Sequence, residues 1–277
     1  MENAFTVDVE EWFHICGVGG NFGEESWTKL PSRVVETTKR LLDLLDGRHV
    51  QATFFVLGWV ADRYPHLVSC IRSAGHEVAS HGYSHRRVYE LGPEAFEKDL
   101  DRSLAALSRA GVDPVLGYRA PEWSINDRSL WALEILARRG FLFDSSMTPL
   151  RLIGNPSYSE VPHCQSTPSG EIVEFPPLVG RHLGQNYPLG GGWGLRMHSP
   201  RTVLRRIEER NNIGLPVALF VHPWELDPDP PRVCLPLGHR FAHYFRLDGF
   251  AERLDEILAG VAFAPMSAVL RLERPVA

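Results

Sequence analysis

Cysteine is scarce and scattered in this chain. Four thiols, Cys16, Cys70, Cys164 and Cys234, are spread over 277 residues, and no two form a Cys-x-x-Cys pair. The spacing therefore encodes no zinc knuckle, and a reduced compartment with four buried or half-buried thiols is the simpler expectation. Long apolar runs are missing as well, since no stretch approaches the roughly 20 residues required to span a bilayer. Basic charge is not in excess: the net charge of -5 leaves no footprint for nucleic acid. The N-terminus enters a strand-like run almost at once, without a basic region, an apolar signal core or a cleavage signature, so the sequence predicts no export and a cytoplasmic location. Sequence repeats and separating linkers are absent too, which predicts one domain over residues 1–277. Nothing sets the oligomeric state.

What is present suffices for one large core, with 44% hydrophobic and 23% charged positions. Short segments rich in Val and Phe read as buried strands: Phe5 to Val9, Ala52 to Leu57, Glu77 to Ser80, Val115 to Tyr118, Leu142 to Ser145, Ile172 to Phe175 and Val217 to Val221. Helical periodicity lies between them. Val34, Val35, Thr38, Leu41, Leu42 and Leu45 recur at 3.6 residues before Gly47, as do Phe96, Leu100, Leu104 and Leu107 before Gly111, and Leu130, Leu133 and Leu136 before Gly140. Alternating strands and helices predict an α/β fold with parallel strands and crossover helices. An open doubly wound sheet would alternate in the same way. Closure is favoured by the chemistry, because Asp8, His81, Arg119 and His222 each fall at the C-terminal end of a different strand, as on the catalytic rim of a barrel.

The chemistry starts at His81-Gly82-Tyr83-Ser84-His85, where two imidazoles four residues apart can converge on one metal ion from a helical turn or tight loop. An acidic partner is found far upstream. In Phe5-Thr6-Val7-Asp8-Val9-Glu10 the alternation of a strand puts Thr6, Asp8 and Glu10 on one face. A divalent cation held by Glu10, His81 and His85 would keep open positions for water and a substrate oxygen, a hydrolytic arrangement. Asp8, two residues from a ligand on the same face, is the natural general base. Leu116-Gly117-Tyr118-Arg119-Ala120-Pro121 and Ala218-Leu219-Phe220-Val221-His222-Pro223 each end an apolar run in a polar residue. Taken singly, Arg119 also reads as a salt-bridge residue, Pro121 as a turn former and His222 as a strand end.

Together, Asp8 and Glu10, His81 and His85, Arg119 with Pro121, and Val221-His222 resemble the successive motifs of the polysaccharide deacetylase family with the NodB homology domain, carbohydrate esterase family four. The chain is most similar to the cytoplasmic subgroup found beside exopolysaccharide and exosortase gene clusters, through Thr6-Val7-Asp8-Val9-Glu10, Ala52-Thr53-Phe54-Phe55-Val56-Leu57-Gly58 and His222-Pro223-Trp224-Glu225-Leu226-Asp227-Pro228. The resemblance covers roughly residues 4 to 250. It implies a distorted (β/α) barrel of about seven strands, with the segment from about residue 223 as a family-specific extension. The donor set, imidazole with carboxylate and no thiolate, favours one divalent ion, zinc before cobalt, nickel or manganese, and the resemblance implies the first acid of the pair as base and the second as ligand. The chain departs from the family in having Glu10 where Asp is common, at D-x-E rather than adjacent spacing.

In this reading His222 is the acid that protonates the departing amine, and Arg119 orients Asp8 through a charge-assisted bond. Many family members hold the acid His with an Asp from a fourth motif; here Phe175-Pro176-Pro177 occupies that region, and Asp144 is either a displaced version or a turn cap. Pro121, Trp123, Trp193 and Trp224 are candidate substrate contacts, although a Trp also serves packing. Gly190-Gly191-Gly192-Trp193-Gly194 lacks the Lys-Ser or Lys-Thr of a phosphate cradle and reads as a mobile substrate loop. His14, His76 and His198 receive no role. The expected function is metal-dependent removal of acetyl from an N-acetylated amino sugar in a surface or exopolysaccharide, a glycolipid or a precursor. The alternatives are an amidase for a non-sugar amide or secondary metabolite, and a catalytically silent glycan-binding protein, which would not need a base, an acid and a metal set together.

Overall fold

The strand β1 (Asn3–Val9) is buried along its entire length, as a parallel strand covered on both faces must be. It opens a computed structural model that describes residues 1–14 and 22–272. Along the chain follow β2 (Thr53–Val56), β3 (Glu77–Ser80), β4 (Gly117–Tyr118), β5 (Phe143–Asp144), β6 (His163–Thr167), β7 (Gly170–Glu174), β8 (Val179–His182), β9 (Gln185–Pro188), β10 (Ala218–Val221) and β11 (Phe263–Ala264). The main sheet runs β10-β1-β2-β3-β4-β5-β7-β6, with β11 paired to β1. Every pairing from β10 round to β7 is parallel. Those seven strands are the seven expected from the apolar runs.

The sheet curls back on itself. Beyond β7, Pro177 bridges Ala218 and Gly191 bridges Phe220, and Leu178 N donates to Ala218 O at 2.9 Å. An irregular segment thus spans the gap between β7 and β10, so the architecture is a distorted barrel rather than an open doubly wound sheet. The sequence reading did not foresee β6, the β8–β9 hairpin or β11. β6 reads His-Cys-Gln-Ser-Thr and lies half-exposed at an edge, so it lacks the apolar signature of a buried strand.

Strand alternation sends apolar side chains to opposite faces of the sheet. Phe5, Val7, Val9, Phe54, Val56, Val78, Leu219 and Val221 belong to the cluster shared with the helices. Ala4, Phe55, Ala79, Leu116, Phe143, Phe175, Ala218 and Met266 form a separate cluster, which fills the interior. Burying each large apolar side chain contributes about 1.5–3 kcal/mol. The helix Val34–Gly47 buries Val34, Thr37, Thr38, Leu41 and Leu45, and Glu11 anchors its start by accepting from Arg33 N at 3.0 Å. Gly47 is still helical; the left-handed residue is His49, at φ 54°. Gly111 (φ 84°) and Gly140 (φ 82°) do turn the chain after helices Pro93–Arg109 and Trp131–Arg138. Leu130 is exposed at the start of the latter, outside its buried stripe.

The cysteine expectation needs correction. Cys70 is half-buried, but Cys164 and Cys234 are exposed, and all three are free thiols. Cys164 lies on the edge strand β6, where one face meets solvent; Cys16 falls outside the described residues. Among the described residues, no helix is long and apolar enough to cross a membrane.

Asp144 does not reach His222. It pairs in register with Glu174 across β5 and β7, both fully buried, and its Oδ1 accepts from Ser146 Oγ at 2.6 Å, so it is a turn cap with a second carboxyl beside it. Burial, followed by the Asp144 charge, pushes Glu174 well above the ordinary carboxylate range, and burial raises Asp144. A raised folded pKa means the native state holds a proton that the unfolded chain releases earlier. The stability gained is full below the unfolded carboxylate pKa and is lost as pH rises through the raised value. Thermal unfolding across a pH series should therefore show stability falling toward alkaline pH, and Glu174→Gln should flatten that slope; an unaltered slope would contradict a raised Glu174.

Candidate active site

The four polar residues expected at strand ends do occupy the rim. Asp8 precedes the last residue of β1, while His81, Arg119 and His222 each follow immediately after β3, β4 and β10. Asp8, Glu10, His81, His85, Trp123, Trp193, His222 and Trp224 line one cleft of about 380 Å³. Arg119, 1% exposed, lies beneath them in the barrel interior.

Arg119 is held on every side. Its Nη1 donates to Asp8 Oδ1 at 2.6 Å and to Thr6 Oγ1 at 2.8 Å, Nη2 donates to Ser145 Oγ at 2.9 Å, and Nε donates to Ser145 O at 3.1 Å. The guanidinium stands 4.1 Å from the Phe55 ring and 4.8 Å from that of Trp123. One carboxylate oxygen of Asp8 is thereby fixed. The other, Oδ2, faces His222 Nε2 at 3.9 Å.

Glu10 turns to the histidines. Its Oε2 lies 2.5 Å from His85 Nε2 and 3.8 Å from His81 Nε2. His81 Nδ1 sits 2.8 Å from the Arg119 carbonyl oxygen, which can only accept, so Nδ1 carries the proton and Nε2 presents its lone pair toward Glu10. Burial alone would raise Glu10, but the charge and hydrogen bond of His85, with the His222 charge beside them, hold it well below the ordinary carboxylate range. Burial would likewise depress His85, and Glu10 outweighs it to raise the imidazole. These three residues offer donor atoms within 4.8 Å of one another. Two imidazoles and one carboxylate, buried together without a thiolate, fit a divalent ion with ligand bonds of about 2.0–2.2 Å.

The His81–His85 segment is a tight loop, not a helical turn, and a carboxylate on the neighbouring helix knits it. Asp99 accepts from Tyr83 N at 2.7 Å, Ser84 N at 3.1 Å and Ser84 Oγ at 2.5 Å. Gly82 adopts φ 71°, and a Cβ there would lie 3.1 Å from Asp99, so glycine lets the loop close over its anchor. His14 packs at 5.7 Å on His85, nearly parallel to it.

His222 is tuned by a residue that sequence reasoning missed. Glu225 Oε2 accepts from His222 N at 3.0 Å and stands 3.3 Å from Nδ1, and its Oε1 takes a bond from Arg196 Nε at 3.0 Å. Burial alone would depress His222, but the Glu225 hydrogen bond and the charges of Glu10, Glu225 and Asp8 lift it to about 9. The imidazole is therefore protonated at neutral pH, with Nε2 toward the cleft. A sequence signal existed: Glu225 is three residues beyond His222, in the turn opened by Pro223, where an acidic side chain can reach back to the capping N–H. Asp99 left a weaker trace, as a charge within the stripe of Phe96, Leu100 and Ser103.

The tryptophans separate. Trp123 (8% exposed) packs at 4.8 Å on Phe220 in the cleft wall. Trp224 stacks on His222 at 5.1 Å, and its Nε1 donates to Glu10 Oε1 at 3.3 Å. Trp193 opens the helix Gly192–Met197. Pro121 starts the turn Pro121–Trp123 and lies close to Gly82 instead of lining the cleft. The glycine run before that helix is not a free loop: Gly190 N donates to Leu178 O at 2.7 Å and Phe220 N to Gly190 O at 2.8 Å. A Cβ on Gly192 would fall 1.8 Å from the Glu225 carboxylate. These glycines are there for close approach.

Comparisons with known proteins agree with this architecture. Residues 27–140 match the family model described as Polysaccharide deacetylase, and residues 145–271 match one described as a domain of unknown function, DUF3473. The chain is 33% identical over 102 residues to the peptidoglycan-N-acetylglucosamine deacetylase of Bacillus cereus, covering 36% of this chain and 37% of the relative. To a chitooligosaccharide deacetylase of Rhizobium leguminosarum bv. trifolii it is 31% identical over 97 residues, 34% and 45% of the two chains. The matched segments thus span less than half of these relatives' length. A crystal structure from Mycobacterium smegmatis, described as a polysaccharide deacetylase, superposes with a TM-score of 0.65 at 24% identity over 99% of this chain and 94% of that one. Residues 27–140 thus carry polysaccharide deacetylase sequence, and the chain shares the fold of the Mycobacterium smegmatis structure.

The tuning of His222 is open to direct measurement. An opposite charge in contact typically moves a pKa by one to three units, so in Glu225→Gln the His222 imidazole should titrate about one unit lower or more. Its NMR titration curve is the check. A superimposable curve would mean that Glu225 does not hold the imidazolium.

Proposed function

We propose that the protein is a metal-dependent hydrolase that removes acetyl from an N-acetylated amino sugar, in a surface or exopolysaccharide, a glycolipid or a precursor of one. The observation that carries this reading is the convergence, in one cleft, of an oriented carboxylate, an imidazole backed by Glu225 and a two-histidine, one-carboxylate set. Relatives named as deacetylases of peptidoglycan and chitooligosaccharide support the substrate class. An acid, a base and a cation set together exceed what passive glycan binding requires.

Glu10, His81 and His85 would hold one divalent ion, zinc in our reading, whose bound chemistry is to polarise an amide carbonyl and acidify water. The remaining work falls to side chains. Asp8, with one oxygen fixed by Arg119, takes the proton of the attacking water on the other. His222 faces it at 3.9 Å and donates its Nε2 proton to the amide nitrogen as the C–N bond breaks, since an amine leaves poorly unprotonated. Glu225 then stabilises the imidazolium before donation and orients it, and Arg196 fixes Glu225. Trp123 and Trp193 offer apolar surface to a sugar ring, whereas Trp224 is occupied with His222 and Glu10.

Acetate release from N-acetylated chitooligosaccharides and peptidoglycan fragments is the primary test. Asp8→Asn should keep its metal and lose about two to four powers of ten in turnover, while His81→Ala should lose metal and activity together. Full turnover in Asp8→Asn would reverse the roles of Asp8 and Glu10.

The acid is tested by leaving group. His222→Ala should slow amide hydrolysis far more than hydrolysis of an activated acetyl ester, because a phenolate leaves with little protonation and an amine does not. Equal losses on both substrates would remove His222 from proton donation, and loss of the ion would make it a ligand.

A further inference from the structure

His243 lines the same cleft without belonging to the machinery assigned above. It sits near the end of the helix Leu237–Tyr244, is 6% exposed, and packs its ring at 4.7 Å against Trp224. Neither Nδ1 nor Nε2 has a hydrogen-bond partner among the described residues. Buried polar groups left in that condition are rare in native interiors and call for an explanation.

The surroundings define what His243 can recognise. Burial and the Arg196 and His222 charges lower its pKa, Glu225 and Glu10 oppose them, and the balance lies at about 4; His239, from the same helix, also borders the cleft. At neutral pH the ring is uncharged, so one nitrogen donates and the other accepts. A carboxylate could use only the donor and an ammonium only the acceptor, whereas a hydroxyl can satisfy either or both. Trp193, which also lines the cleft, has a buried Nε1 donor without a partner among the described residues. Around them Trp123, Ile153 and Phe220 supply apolar wall, which suits the C–H faces of a pyranose.

We propose that His243 is a specificity-determining residue that hydrogen-bonds a hydroxyl of the sugar, selecting an uncharged, hydroxylated ring at this position. The inference rests on the deacetylase reading and deepens it. His243 touches no reacting atom and leaves the acid and base in place.

The probe is an N-acetylated chitooligosaccharide, bound to the Asp8→Asn protein so that affinity is read without turnover. Adding His243→Phe should weaken its binding about tenfold, the equivalent of one buried hydrogen bond. Adding His243→Gln, whose amide keeps a donor and an acceptor, should recover most of it. Acetate release by the protein with Asp8 intact is measured alongside. Equal affinity in all three forms, or Gln as weak as Phe, overturns the proposal. A selective loss in Phe without any acetate release by the intact protein would sink the deacetylase reading while the hydroxyl contact stands. Absence of glycan binding by every form would overturn both.

Discussion

A single buried guanidinium organises the rim. Arg119 occupies the barrel interior above Phe55, joins β1 through Thr6 and Asp8, and reaches the segment after β5 through Ser145. Removing one partner of a buried ion pair typically costs about 3–5 kcal/mol, because the survivor is left uncompensated. That penalty makes the arrangement all-or-none. Asp8 keeps a fixed position only while Arg119 is present, and the Arg119 carbonyl in turn sets the tautomer of His81. One residue after a two-residue strand therefore positions both Asp8 and His81.

The same constraint separates two carboxylates that would otherwise repel. Asp8 and Glu10 point to one face, but Asp8 is neutralised by arginine from below while Glu10 is neutralised by histidines from the side. His222 Nε2 lies between them, 3.9 Å from Asp8 and 3.8 Å from Glu10. Both matched segments contribute: His81, His85 and Arg119 fall in residues 27–140, and His222, Glu225, Arg196 and His243 fall in residues 145–271. Because β10 pairs directly with β1, His222 is carried to Asp8 by the sheet itself.

Much of this was legible because the strands are buried and apolar, so their ends announce themselves. The seven parallel strands, the D-x-E face of β1, the paired histidines and the histidine after β10 all followed from alternation and punctuation. What escaped is set by tertiary contact. The link Glu225–Arg196 joins residues 29 apart, and Asp99 acts from a helix 15 and 16 residues away from the loop it holds. Asp144 was a candidate partner for His222 because it stands near the expected place in the chain, yet its neighbour in register is Glu174. The glycine run suggested mobility, and its real cause is the close approach of Leu178, Phe220 and Glu225, which no local pattern encodes.

The central claim is that Glu10, His81 and His85 share one cation while Asp8 and His222 stay off it. Elemental analysis combined with anomalous scattering from crystals of the purified protein addresses this most directly. The account predicts one divalent ion per chain, zinc in first place, within bonding distance of Glu10 and of both imidazoles. An ion located away from His81, or full activity after exhaustive chelation, would contradict it.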